Sequence, residues 1–272
     1  MICDYLSKLK RKLSWRGRIL EAAPSASCVD RKRYFAYILN PICRILRTIV
    51  IAIDGPAASG KSTTARLVAR RLGYLHIDTG AMYRAVTLRV LEEKIPLEDA
   101  DRIGALAEKT QMRLEKGENG VRVFVDGREV TEQVRSAQVT RSVSVVSSYQ
   151  RVRNVLVREQ RNMADGGGVV LEGRDIGTVV LPNADLKIFM IANVPERVKR
   201  RQKDLKVAGV DIDSAALEKE IIERDRLDST RKASPLRKAS DAIEVDTSGM
   251  SIEEQVESVV DRAREIIEGG GR

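Results

Sequence analysis

The stretch Gly55-Pro56-Ala57-Ala58-Ser59-Gly60-Lys61-Ser62 matches G-x-x-x-x-G-K-[ST] at every fixed position, and few eight-residue segments constrain a fold as tightly. A loop of this kind works between a strand and a helix. Its glycines let the backbone curl so that successive N–H groups point inward, and the following helix adds the positive end of its dipole. Both neighbours are present. Thr48-Ile-Val-Ile-Ala-Ile53 is short, apolar and β-branched and reads as a buried strand, while Thr63–Leu72 places Leu67, Val68 and Leu72 on one helical face. The motif predicts a cradle for the phosphates of a nucleoside triphosphate, with Lys61 reaching the β- and γ-phosphates and the Ser62 hydroxyl offered to Mg²⁺. The G-x-G-x-x-G spacing of dinucleotide folds is absent, as is the N-K-x-D that reads guanine.

Downstream, strands alternate with helices. Tyr74–Ile77, Val169–Leu171, Leu186–Ile191 and Ala242–Val245 read as further strands. Ala81–Glu92, residues 97–110, 138–164, Pro195–Val207 and Asp213–Asp228 read as helices, with Asp78-Thr79-Gly80 as a turn. Ser251-Ile-Glu-Glu254 is a capping-box start for a last helix. This order predicts an α/β chain with a parallel sheet covered on both faces. One region breaks the rhythm. Met112–Glu115, Val121–Val125 and Arg128–Val130 alternate with period two around Asp126-Gly127, which predicts a small antiparallel meander set into the body.

The chain has 272 residues and a formal net charge of +9, but the charge is unevenly placed. Residues 1–47 hold 11 Lys/Arg against 3 Asp/Glu; the remaining residues hold 37 against 36. The basicity therefore belongs to an N-terminal extension, read as a flexible appendage, an Arg-rich targeting segment, or an upstream start that adds residues of no function. A protein that binds nucleic acid or a membrane surface through this extension is an alternative reading; it requires steeply salt-dependent binding. Cys3, Cys28, Cys43 and Trp15 all lie there, so the body lacks cysteine, which fits a reducing compartment. Aromatic residues make up 4% of the chain, too few for a stacking platform for bases, and no apolar run is long enough to span a bilayer.

Phosphoryl transfer between two anions needs positive charge around the oxygens in line, and the arginine fork binds phosphate in bidentate fashion without losing its proton. Three settings supply arginine. Arg84 follows the second strand in Asp78-Thr-Gly-Ala-Met-Tyr-Arg84, and Arg174 follows the third in Glu172-Gly-Arg-Asp175. Arg224, Asp228 and Arg231 fall at i, i+4 and i+7 on one helix face. Ligands of such sheets bind beyond the carboxyl ends of the strands. Arg197, Lys199, Arg200 and Arg201 either clamp a nucleotide or face water. A phosphate acceptor already carries negative oxygens, so no base is required, and the single histidine, His76, reads as structural. Glu172 stands where a carboxylate orders Mg²⁺ through water.

Taken together, Ile53–Ser62, Asp78–Arg84, Glu172–Val180 and Glu223–Arg231 resemble the corresponding motifs of bacterial-type cytidylate kinase, and the resemblance runs through residues 48–268. It implies a three-layer P-loop kinase fold with a five-stranded parallel sheet. An enlarged nucleoside-monophosphate-binding insert would occupy residues 97–165, with a short lid near 195–212. It implies transfer of the ATP γ-phosphoryl group to CMP or dCMP with Mg²⁺, by a cytoplasmic monomer that has no nucleic-acid or membrane partner. Carried over, Gly55 to Ser62, Thr63 and the lid residue Arg200 would bind ATP. Lys61, Arg84, Arg174 and Arg231 would act in catalysis, the three arginines on the acceptor phosphate. Tyr83, Arg224 and Asp228 would contact the sugar; Ser144, Arg153 and Asp175 would read cytosine. Thr79, which replaces the serine of many members and keeps the hydroxyl, would also bind the acceptor substrate. A P-loop kinase for another small acceptor is the alternative.

Overall fold

A computed structural model describes residues 47–269, apart from 118, 119, 208, 210 and 211. The expectations for the extension therefore lie outside the described residues, Arg47 excepted, as does part of the expected lid. In chain order the elements are β1 (Val50–Asp54), α1 (Lys61–Leu72), β2 (Leu75–Asp78), α2 (Thr79–Glu92), α3 (Ala100–Lys109), β3 (Met112–Gly117), β4 (Gly120–Val125) and β5 (Arg128–Glu129). Then follow α4 (Ala137–Val146), α5 (Gln150–Ala164), β6 (Val169–Gly173), β7 (Leu186–Ile191), α6 (Val194–Val207), α7 (Ser214–Thr230), β8 (Ile243–Asp246) and α8 (Ile252–Gly269).

The β-branched runs do what their burial demands. β1, β6 and β7 are largely apolar on both faces, with Asp54, Glu172 and Lys187 as buried exceptions, and such strands need helices above and below. They form a parallel five-stranded sheet in the order β2-β6-β1-β7-β8. On one face, Ala65, Val68 and Ala69 of α1 and Val256, Val259, Val260 and Ala263 of α8 pack on Ile51, Ile53, Val170 and Ile188. On the other, Ala52, Ile77 and Leu171 meet Ala164, Ile176 and Val180. The expected meander is present as the antiparallel sheet β3-β4-β5, with Asp126-Gly127 at a turn and both residues at positive φ. Its inner residues Val121, Val123 and Val125 pack against Ala81, Ala85 and Leu88 of α2.

Most boundaries fall within three residues of expectation, and three departures have a clear local reason. α1 starts at Lys61, because Gly60 takes the left-handed conformation that lets the helix begin at the end of the loop. α2 starts at Thr79, because the Asp78 carboxylate caps it by accepting from the Ala81 N–H at 2.9 Å. The single helix expected over 138–164 is two. Ser147 Oγ donates to the Ser144 carbonyl at 3.1 Å and Ser148 Oγ to the Val145 carbonyl at 2.7 Å, while Tyr149 OH donates to Leu97 O at 2.5 Å. Such back-bonding competes with the helical ladder, and Tyr149 leaves it for an extended backbone. At the last helix the capping box forms: Glu254 N–H donates to Ser251 Oγ at 3.2 Å and Ser251 N–H to Glu254 Oε2 at 2.7 Å. Among the described residues no helix is long and apolar enough to cross a membrane.

Candidate active site

Because the five strands run parallel, their carboxyl ends share one edge. Asp54, Asp78 and Gly173 end β1, β2 and β6 there, and the motif residues follow them. Gly55 has φ +148°, and a β-carbon on it would lie 2.0 Å from the Met190 carbonyl oxygen of β7. Only glycine fits. The loop is fastened from outside as well. Arg197 Nε donates to Ala57 O at 2.7 Å while its other nitrogens hold Asp225 at 2.5 and 2.9 Å. Thr247 Oγ1 donates to Ser59 O at 2.9 Å, and Arg200 donates to Thr247 Oγ1 and O at 3.0 and 2.6 Å. Arg200 is thus tied to the loop through Thr247, and Arg197 grips the loop directly.

Lys61 is 5% exposed, and its Nζ folds over the loop to donate to Pro56 O at 2.5 Å and Ser59 Oγ at 3.3 Å. Burial, then repulsion from Arg174, hold its pKa well below the usual lysine value. Beside it, Ser62 Oγ donates to Glu172 Oε2 at 2.5 Å. Glu172 lies within β6, and its own carbonyl accepts from Thr79 Oγ1 at 2.7 Å. Pro56, Ala58 and Thr63 complete the segment between β1 and the first turn of α1, with Ala58 at φ +57°.

Opposite this loop the arginines converge. Arg84 is held by Asp78 at 2.8 Å. Arg174 Nε donates to Asp228 Oδ2 at 2.9 Å. Burial, then repulsion from Arg174 and further from Arg84, lowers the Arg224 pKa to about 10. Burial alone would raise the pKa of Asp228, but Arg174, Arg224 and Arg231 together bring it below the usual carboxylate value. Next to them Arg153, 1% exposed, is paired with Asp175 and stands 5.4 Å from the centroid of the Tyr83 ring. Arg231 approaches the other Asp175 oxygen at 3.5 Å, and burial followed by repulsion from Arg153 lowers its pKa. Burial pushes the Tyr83 phenol up to about 12, so it stays a neutral donor.

One predicted residue stands apart. The Ser144 side chain makes no hydrogen bond to Arg153 or Asp175. Three residues on, Ser147 does the equivalent work: its carbonyl accepts from Arg153 at 3.3 Å and its hydroxyl from Arg231 at 3.5 Å. Sequence reasoning passed over Ser147, and also Ser234, whose Oγ accepts from Arg153 Nε at 3.1 Å and whose carbonyl accepts from Arg231 Nε at 2.8 Å. It also passed over Asp54, which ends β1 and accepts the N–H groups of Ile176 and Gly177 at 2.8 and 2.7 Å. Asp54 thereby ties the start of the loop to the segment that carries Arg174 and Asp175. The one available signal was position, a charged residue at the end of an apolar strand.

The comparisons with known proteins bear on this arrangement. Residues 51–265 match the family model described as cytidylate kinase. A cytidylate kinase of Pediococcus pentosaceus is 53% identical over 210 residues, covering 77% of this chain and 93% of that protein. One from a Geobacillus species is 52% identical over 219 residues, covering 80% and 96%. Among solved structures, a shikimate kinase from Bacteroides thetaiotaomicron aligns with a TM-score of 0.41 at 14% identity over 81% of this chain and 99% of that one; the assignment rests on the sequence relatives. Matched by the family model over most of its length and about half identical to these relatives, this chain belongs to the cytidylate kinase family.

Proposed function

We propose that the protein transfers the γ-phosphoryl group of ATP to CMP or dCMP, giving ADP and CDP or dCDP. The observation that carries the reading is that the loop ending in Lys61 and the cluster of Arg84, Arg174, Arg224 and Arg231 lie at one sheet edge, near enough for Arg174 and Arg224 to lower the Lys61 pKa. Gly55 to Thr63 hold the donor phosphates through backbone N–H groups, and Arg200 holds the nucleotide end through its place beside Thr247. Arg84, Arg174 and Arg231 hold the acceptor phosphate, and their charge neutralises the oxygens between donor and acceptor as the phosphoryl group moves. Tyr83, Arg224 and Asp228 face the sugar. Cytosine presents an amino donor beside a ring-nitrogen acceptor, and the buried Arg153–Asp175 pair offers one partner for each. Ser144 is kept as a base contact, with Ser147 as the hydroxyl nearer the pair.

The acceptor needs no general base, because its phosphate is already anionic near neutral pH. What the protein supplies is position and charge. Residues 97–165, with the meander, form the acceptor-binding insert, and α6 flanks the donor loop. The residues at the loop fit Mg²⁺. Mg²⁺ is usually held by one or two protein oxygens together with substrate phosphates, and the Ser62 hydroxyl and Glu172 carboxylate stand 2.5 Å apart at the end of the loop. Ser62 would ligate it directly and Glu172 through water, and the bound ion would neutralise charge on the β- and γ-phosphates. Every group named here lies in one chain, so the proposed reaction requires no residue from a second subunit. The cysteine-free body fits the cytoplasm.

A steady-state panel of acceptors tests the reading. CMP and dCMP are expected to be phosphorylated in preference to UMP, AMP and a sugar acid; preference for any of the latter would overturn it.

A further inference from the structure

The chain's single histidine has no part in the function proposed above. His76 lies in β2, beside β6, and its Nε2 sits 2.9 Å from Glu172 Oε1. A carboxylate only accepts, so Nε2 carries the proton of this bond. The His76 Nδ1 is buried without a hydrogen-bond partner, so the ring has one polar attachment. Both side chains are shielded, at 12% and 4% exposure. The other oxygen of Glu172 accepts from Ser62 at 2.5 Å.

We propose that His76 is a positioning residue for the Ser62–Glu172 pair: by occupying Oε1 it keeps Oε2 turned toward Ser62. The inference rests on the assignment of Ser62 and Glu172 to Mg²⁺ made above. The terminal torsion of a glutamate is broad and weakly held. Glu172 also lies close enough to Lys61 to raise its pKa by attraction. A carboxylate released from His76 is therefore free to turn toward the lysine ammonium and away from the Ser62 hydroxyl. The backbone cannot prevent this, since Thr79 holds only the Glu172 carbonyl. The hydrogen bond from β2 fixes the carboxylate plane.

The test compares calorimetric binding of ADP with Mg²⁺ and of ADP in chelator. His76→Leu removes the donor while retaining bulk. It is expected to reduce the Mg²⁺-dependent gain in ADP affinity about tenfold, the scale typical of groups that orient metal ligands. Metal-free ADP affinity should stay unchanged. His76→Gln, whose amide N–H reaches the Nε2 position, is expected to restore most of the gain, and the shorter His76→Asn is not. An equal loss with and without Mg²⁺, or no loss, would overturn the proposal, and if the leucine variant does not fold the Gln/Asn contrast decides it. CMP binding, measured separately, reports on the acceptor assignment, so a wrong acceptor leaves these ADP titrations untouched.

Discussion

Lys61 and Asp54 are both buried at a cost to their own charge, and in opposite senses. Burial, with Arg174 beside it, disfavours the Lys61 ammonium. Function at the expense of stability follows from that. Lys61→Met is expected to lower kcat by about a hundredfold to a thousandfold, the scale of one lost charged donor at a transferring group. Stability toward urea should stay equal or rise. Full activity, or a clear loss of stability, would contradict the role. For Asp54, burial raises the carboxyl pKa to about 6 from 3.8, outweighing the two backbone N–H bonds that favour its ionised form. The folded chain then keeps a proton that the unfolded chain has lost between these values, so this group's stabilisation is full below about pH 4 and declines as pH rises through 6. The loss amounts to about 3 kcal/mol. Asp54→Asn has no such titration. Relative to the parent, its unfolding free energy should rise by about that much between pH 4 and pH 7; a flat difference across this range would refute the assignment.

At the scale of elements, the loop is positioned by what lies under it. A β-carbon at Gly55 would meet the β7 backbone, which cannot yield as a flexible side chain can. Gly55→Ala is expected to cost about 3 kcal/mol of stability and to weaken ATP binding as the loop lifts; denaturant titration and ATP affinity measure the two. Ordinary stability with ordinary affinity would contradict the packing. The strand–loop–helix unit was legible in sequence because every feature that makes it is local: a β-branched run, glycines at fixed offsets, a helical face. The meander was legible for the same reason, through period-two alternation and Asp126-Gly127. The break between α4 and α5 was not. It depends on Ser147 and Ser148 turning back onto carbonyls and on Tyr149 reaching Leu97, which is 52 residues away in the chain. An apolar stripe continues through such a break without a gap, so periodicity reads one helix where two exist.

Over the whole molecule, the residues that gather at the sheet edge were legible in sequence and their supports were not. Lys61, Arg84 and Arg174 sit in short motifs at strand ends, and a parallel sheet brings such ends together by necessity. Asp54 and His76 act on partners 122 and 96 residues away, and no local pattern marks them. Ser234 meets Arg153, and Ser147 meets Arg231, across 81 and 84 residues of chain, so no local pattern marks these pairs. The central claim is that one loop and one ring of guanidinium groups hold two phosphates end to end. The most direct measurement uses a single molecule that joins adenosine and cytidine 5′ to 5′ through a pentaphosphate. It should bind in a 1:1 complex at least about a hundredfold more tightly than ATP or CMP alone, because its second half binds at high effective concentration. Arg174→Ala should remove most of that advantage. An affinity no better than that of ATP, or one indifferent to Arg174, would contradict the account.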